Sequence, residues 1–398
     1  MKLSRRLSLI EPSPTLAVSA KAAALRAKGL DVISFGAGEP DFDTPAHIKE
    51  SAKRALDAGA TKYTLVEGTP ALRGAVAKWL GKAHGLAIEP GEIIVSAGAK
   101  QSLFNAMHAI VDEGDEVVIP TPAWGSYNEI VKMAGGRPVT VPGAAENSFV
   151  PRIEDIEAAI SPRTRAILYA SPGNPTGSII DERTLRGIAD LAVKHDFWLI
   201  TDDIYRTLIY GDARCFQPAT ISPAVRAHTI IIDGVSKAFA MTGWRIGFAC
   251  APRFLVEAMG TLQSQSTTNA AAVSQAAALA AIEGSTDELE MMRLEFDRRR
   301  KVMIKALREI PGVTCVDPRG AFYAFPDLSA FLGRKTPEGK RIETDGQLCE
   351  YLIESARVAV VPGSAFSAPG YVRLSYATSM KNVEEGVARI AAALPRLT

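Results

Sequence analysis

The chain has 398 residues, 47% of them hydrophobic and 22% charged, and its 45 Lys and Arg against 44 Asp and Glu leave a formal charge of +1. That length predicts two domains, and that composition excludes a disordered chain, a collagen and a coiled coil. The balanced charge offers no global basic surface for nucleic acid or an anionic membrane, so neither is expected as a partner.

In chain order, Lys2, Arg5 and Arg6 imitate the charged start of a signal peptide. Glu11, Pro12 and Pro14 then interrupt the apolar stretch such a peptide needs. Gly36-Ala37-Gly38 follows the apolar Val32–Phe35 but lacks the third glycine of a dinucleotide loop, because position 41 is Asp41. Seven short apolar runs follow, at Ile93–Val95, Glu116–Ile119, Pro138–Val141, Ala166–Tyr169, Phe197–Ile200, Thr229–Ile232 and Ile246–Cys250. Helical patterns separate most of them, at Gln101–Val111, Ser126–Ala134, Ile153–Ile160 and Glu182–His195. This repeated βα pattern predicts an α/β fold with a mostly parallel sheet of seven strands. The segment between Asp233 and Trp244 is too short for a crossover helix, so the last strand is expected to run antiparallel. Leu262–Ile282 is uncharged but carries Gln263, Gln265, Thr267, Asn269 and Gln275, too polar for a membrane span.

The C-terminal third predicts a smaller α/β unit. It holds a long charged helix over Asp287–Glu309, strands at Ala321–Phe325, Val358–Val361 and Val372–Tyr376, a polar loop over Gly333–Thr344 and a final helix over Lys381–Leu394. The run Arg298–Lys301 is expected to be a solvated helix face, with nucleic-acid contact as the alternative. Cys215, Cys250, Cys315 and Cys349 are far apart and make no disulfide framework, and the five histidines lack ligand spacing. A cytoplasmic protein without a metal is expected.

Several chemistry-bearing motifs fall just after predicted strands, where open α/β sheets bind ligands. Ser96-Ala97-Gly98-Ala99-Lys100-Gln101 opens a helix with small residues and reads as a phosphate cradle or an ordinary tight turn. Ser171–Gly177 is rich in Pro and Gly and reads as a structural turn or a stiff mount for Asn174. Thr201-Asp202-Asp203-Ile204-Tyr205 offers metal ligands, a buried counter-ion or a helix cap. Ser236-Lys237-Ala238-Phe239, followed by Thr242-Gly243-Trp244-Arg245, holds a lysine that desolvation would make nucleophilic and an arginine suited to phosphate or carboxylate. Arg373, inside a predicted strand, is either an edge charge or a carboxylate clamp.

Together these segments resemble the class I aminotransferases of pyridoxal-phosphate fold type I. The resemblance runs from Pro12 to the final helix and includes Gly36–Pro45, Tyr63–Arg73, the Asn174 turn, Asp202–Tyr205, Ser236–Lys237 and Val372–Ala377. Within that family it is similar to the bacterial aspartate aminotransferase branch, which includes prephenate-using enzymes. The resemblance implies a large cofactor-binding domain over 45–285, a small C-terminal domain over 286–398, and residues 1–44 as an N-terminal arm and part of the small domain.

It also implies roles. Lys237 would hold pyridoxal 5'-phosphate covalently and move the substrate proton. Asp202 would face the pyridine nitrogen, Tyr205 and Asn174 the phenolic oxygen, and Trp124 would stack on the ring and touch substrate. Gly98, Ala99, Lys100, Ser236 and Arg245 would bind the phosphate, joined by Tyr63 of a neighbouring subunit, which implies a homodimer with shared sites. Arg373, Gly38 and Asn174 would hold the substrate α-carboxylate and Lys100 the distal carboxylate, since no second arginine can be placed near Gln263–Asn269; a solvated helix residue is the alternative for Lys100, and Thr15 matches a substrate-binding residue associated with prephenate use. The implied reaction is ping-pong transfer of the amino group of L-aspartate or L-glutamate to 2-oxoglutarate, oxaloacetate or prephenate. Alternatives are aromatic or alanine transamination, β-elimination, or a non-catalytic regulator on this fold. The chain departs from the family pattern at Asp203, often Glu, and Ala99, often Gly.

Overall fold

Short runs of β-branched residues bounded by Gly, Pro and Asp become strands, and the patterned segments between them become helices. The structure, a computed structural model, describes residues 2–398. It begins with α1 (Pro14–Ala27), β1 (Ile33–Ser34), α2 (Ala46–Asp57) and α3 (Pro70–His84). Next come β2 (Ile93–Ser96), α4 (Ala99–Ile110), β3 (Glu116–Thr121), α5 (Ser126–Met133) and β4 (Arg137–Pro142). They are followed by α6 (Ile153–Ala158), β5 (Thr164–Ala170), α7 (Glu182–His195), β6 (Trp198–Asp202) and α8 (Pro223–Ala227). Then come β7 (Thr229–Gly234), the single-turn α9 (Val235–Ala238), β8 (Gly247–Cys250), α10 (Arg253–Ser264) and α11 (Ala272–Glu283). The C-terminal part holds α12 (Asp287–Arg308), β9 (Thr314–Cys315), β10 (Tyr323–Ala324), β11 (Pro326–Asp327) and α13 (Asp345–Tyr351). It ends with β12 (Val358–Ala359), β13 (Val361–Pro362), β14 (Val372–Ser375) and α14 (Met380–Ala393).

The seven expected strands form one sheet in the order β2-β8-β7-β6-β5-β3-β4. β8 runs antiparallel to both β2 and β7, while the other neighbours pair in parallel. The four residues of α9 are too few to carry the chain back across the sheet, so β8 returns from the same edge. Alternate side chains serve opposite faces. Ile93, Val95, Ile231 and Phe248 pack with Leu72 and Val76 of α3 and Ala277 of α11. Ile94, Ile230, Ile232 and Ala249 pack with Leu103 of α4 and Met259 of α10. With both faces covered, the strands read as nearly continuous apolar runs.

A separate core gathers α12 and α14 over β10 and β14, including Phe296, Met303, Phe322, Leu374 and Val387. β1 pairs in parallel with β12, so residues near the N-terminus belong to this unit. Tyr205 and Leu208, just beyond β6, also sit in this core and tie it to the sheet. The solvated reading of Arg298–Lys301 is corrected here. Arg298 and Lys301 face solvent, but Arg299 and Arg300 are buried. At 100° per residue, four consecutive positions cannot all face water. Arg299 pairs with Asp41 at 2.7 Å and Glu295 at 2.8 Å, and Arg300 with Asp297 at 2.8 Å and with Asp317. Among the described residues no helix is long and apolar enough to cross a membrane.

Candidate active site

The singled-out turns meet at one edge of the sheet, because β2, β3, β5, β6 and β7 all end there and β8 starts there. They line a cavity of about 380 Å³ with Gly38, Ala99, Lys100, Trp124, Asn174, Asp202, Tyr205, Ser236, Lys237, Arg245 and Arg373 on its walls. That volume suits a small cofactor and substrate. A roomier cavity, about 620 Å³, lies at the opposite end of the strands against Glu92, Thr229 and Cys250 and contains none of these residues.

Lys237 projects from α9, which opens directly at the end of β7. Its Nζ donates to the Gly38 carbonyl at 2.6 Å. Burial pulls its pKa down to about 8; Glu39 opposes this, while Arg245 and Arg373 add to it. Asp202, at the end of β6, is 6% exposed. Its carboxylate accepts from the Tyr127 hydroxyl at 2.7 Å and from the Ile204 N–H at 3.2 Å. Burial pushes its pKa up to about 6 despite these two donors. Asp203 faces different neighbours: Gln217 donates to it at 3.0 Å, and His84 approaches it at 3.4 Å. Burial pushes the His84 pKa down to about 4, so that contact involves a neutral imidazole. The paired acids therefore do not share a metal site, and among the described residues no group of three or more His, Cys, Asp and Glu is placed to hold one.

One end of the cavity suits a phosphate. The amides of the first turn of α4 have no intrahelical acceptor, and the helix dipole adds positive potential there. Gly98 has φ +93°, and a Cβ on it would lie 2.3 Å from Arg245 Nη2. A Cβ on Gly247 would lie 2.0 Å from the Ala99 nitrogen. Both positions need glycine so that the Arg245 guanidinium and the α4 amides can share one small space. The methyl of Ala99 leaves this arrangement intact. Ser236 is buried beside it. A cationic cradle, a central lysine and a buried acid opposite fit pyridoxal phosphate.

The other end suits a carboxylate. Arg373 is 1% exposed and lies in β14, the middle strand between β10 and β13, which rules out the edge-charge reading. Its Nη1 donates to Asn174 Oδ1 at 2.8 Å and its Nη2 to the Gly36 carbonyl at 2.9 Å. Its Nε is buried without a partner, and its guanidinium lies 4.4 Å from the centre of the Tyr323 ring. A buried cation facing only neutral groups is completed by an anion. Farther out, Lys100 Nζ donates to Ser126 Oγ at 3.2 Å and sits 4.6 Å over the Trp124 ring. Burial, then Arg245, lower the Lys100 pKa. Thr15, at the start of α1, joins this wall. Tyr63 lies outside the cavity, 86% exposed.

Three contributors escaped the sequence reading. Tyr127 holds Asp202, and Ser126 holds Lys100. Tyr323 bonds the Tyr205 hydroxyl at 2.7 Å. Tyr127 follows Trp124 by three positions, a spacing that puts both on one side of a helical turn and could have signalled it. Tyr323 carries no such local sign.

The profile of the family described as aminotransferase class I and II matches residues 30–390. The chain is 47% identical over 394 residues to an aspartate aminotransferase of Rhizobium meliloti, covering 99% of this chain and 96% of that one. It is 45% identical over 391 residues to an aspartate/prephenate aminotransferase of Cereibacter sphaeroides, covering 98% of each. The Rhizobium meliloti aspartate aminotransferase crystal structure superposes with a TM-score of 0.96 at 46% identity, covering all of both chains. The Thermus thermophilus enzyme with maleate superposes at 0.93 and 44% identity, covering 99% of this chain and 100% of that one. Near-complete coverage at these identities leaves no part of the architecture unmatched, and the chain belongs to the class I and II aminotransferases, a family of pyridoxal-phosphate-dependent enzymes.

Proposed function

We propose that this chain moves the amino group of L-aspartate or L-glutamate to 2-oxoglutarate, oxaloacetate or prephenate, using pyridoxal 5'-phosphate. The observation that carries this reading is the set of charges gathered in one cavity. The cationic cradle at Arg245 and α4, the Lys237 amine, the Asp202 carboxylate and the buried Arg373 all open into it. The cofactor supplies a carbonyl that takes up the amino group and a ring that accepts electron density.

This chain's residues supply the rest. The amides of α4, with Ser236 and Arg245, would bind the cofactor's phosphate, and Asp202 would keep a proton on the pyridine nitrogen. Tyr205 and Asn174 would donate to the phenolic oxygen, and Trp124 would cover the ring. A lysine held near pKa 8 is neutral often enough to attack a carbonyl and then to carry a proton from the substrate carbon. Arg373 grips the α-carboxylate bidentately, and the Gly38 backbone closes over it. Lys100, which lines the same cavity as Thr15, would face the distal carboxylate, which favours dicarboxylic substrates.

A homodimer is part of the reading. Leu3, Leu7, Leu9, Tyr63 and Leu65 are all more than half exposed, an apolar set suited to a second copy. Tyr63 would then reach the partner's phosphate. A cytoplasmic location accords with four free cysteines.

The test is the visible spectrum of protein reconstituted with pyridoxal phosphate. L-glutamate should bleach the cofactor band, and each 2-oxo acid should restore it at its own rate. A band indifferent to both amino donors would point to a lyase or a different donor, and no band would overturn the reading from Lys237 outward.

A further inference from the structure

Arg206 and Asp233 lie outside the lining of the cavity, and the buried residues around Arg206 form a second cluster. The reaction as described makes no use of it. Arg206 follows Tyr205 directly, and Asp233 lies three residues before Ser236 and four before Lys237. Arg206 Nε donates to Asp233 Oδ2 at 2.6 Å, with side chains 10% and 2% exposed. The other Asp233 oxygen accepts from the Gly234 N–H at 2.7 Å, which fixes the carboxylate against its own turn. The Arg206 guanidinium lies 3.8 Å over the ring of Trp79 on α3. Its backbone N–H bonds the Asp203 carbonyl at 2.8 Å, and the Asp203 N–H bonds Ile232 of β7 at 2.8 Å.

One side chain therefore joins the turn after β6, which bears Asp202 and Tyr205, to the turn after β7, which bears Ser236 and Lys237. Stability alone is a poor reason for it. Arg206 Nη2 and His84 Nε2 are buried without hydrogen-bond partners. A buried ion pair left partly unsatisfied is commonly no better than an apolar pair of the same volume.

We propose that Arg206 is a positioning residue, and that its clasp on Asp233, stacked on Trp79, sets the separation between the Lys237 amine and the Asp202–Tyr205 pair. The proposal rests on the active-site reading above. The planar guanidinium suits this task, since stacking fixes its plane while Nε–H fixes its direction.

The test compares the parent with Arg206→Lys and with the double variant Arg206→Met, Asp233→Asn, which removes both charges. Three quantities are read: melting of the cofactor-free protein, the dissociation constant for pyridoxal phosphate, and the pH midpoint of the cofactor's visible band. Borohydride trapping with mass spectrometry on the parent establishes separately whether Lys237 carries the cofactor. At pH 5, where the buried Asp203 that Arg206 also faces holds its proton, the double variant should melt at or above the parent temperature. It should nevertheless bind cofactor about tenfold more weakly. Its band midpoint should move by about half a pH unit, and kcat should fall with KM little changed. Arg206→Lys should lie between the two. A double variant with the parent's dissociation constant and midpoint overturns the proposal. So does one whose cofactor affinity falls only in step with a lower melting temperature, for then the clasp is structural. Failure to trap Lys237 in the parent would instead bring down the active-site reading itself.

Discussion

Asp202 allows a quantitative trade between function and stability. Its carboxyl titrates at about 6 in the folded chain, against 3.8 when unperturbed, and burial is the main cause. The sign follows directly. Below pH 3.8 the group is protonated folded or unfolded and costs nothing. As pH rises from 3.8 to about 6 the unfolded chain loses its proton while burial makes the folded chain keep it, so stability falls across that window and stays low above it. The cost above that pH is about 3 kcal/mol. Asp202→Asn removes the charge and keeps the shape. The amide oxygen still accepts from the Ile204 N–H, and the amide nitrogen donates to Tyr127, whose hydroxyl can turn to accept. The cofactor-free variant should therefore be more stable than the parent at pH 8 by up to about 3 kcal/mol. For 398 residues that corresponds to a rise of about 3–4 °C in melting temperature. The gain should vanish by pH 4, while transamination at pH 8 collapses because nothing keeps the pyridine nitrogen protonated. Calorimetry of stripped protein across pH checks this. A variant that melts at or below the parent at pH 8, or keeps its gain at pH 4, would refute the account of Asp202 as a charge buried at a cost.

Lys237→Met should behave in the mirror sense. The parent lysine, near pKa 8 folded against 10.5 unperturbed, costs stability below pH 8, so the cofactor-free variant should gain about 2 kcal/mol at pH 7 after losing the Gly38 bond, less above pH 10, with no turnover at any pH. Lys100→Ala should cut kcat/KM for aspartate about 100-fold and that for alanine much less, in steady-state assays; equal losses would remove Lys100 from the distal carboxylate. Gly247→Ala should abolish cofactor retention, measured by absorbance after gel filtration, because its Cβ would displace the Ala99 amide. Mixing Tyr63→Ala with Lys237→Ala protein under subunit exchange should regain activity above either alone, since one site of the mixed dimer would be intact.

The sheet was legible because a strand buried on both faces has little room for polar residues. Ile93–Val95 and Thr229–Ile232 announce themselves, and the short gap before Trp244 gave away the reversed β8. The turns were legible for a related reason: a strand end that must approach a ligand needs Gly, Pro or a special side chain at a fixed place, and Gly98, Asn174 and Lys237 are such places. What escaped depends on residues far apart in the chain. Tyr127 reaches Asp202 across 75 positions, Tyr205 meets Tyr323 across 118, and Arg299 finds Asp41 across 258. A local spacing can single out Tyr127, but no local pattern names the distant partner in any of these meetings. A basic run reads as solvated until the fold brings acids to it, as Asp41 and Asp317 are brought to Arg299 and Arg300. The same logic ranks the site's own residues. Most of those proposed to touch cofactor or substrate sit on strand-end turns and could be found by motif, Arg373 inside β14 being an exception. Those that aim them, Tyr127, Tyr323 and Arg206, act across the fold, where geometry rather than pattern decides which side chain completes the contact.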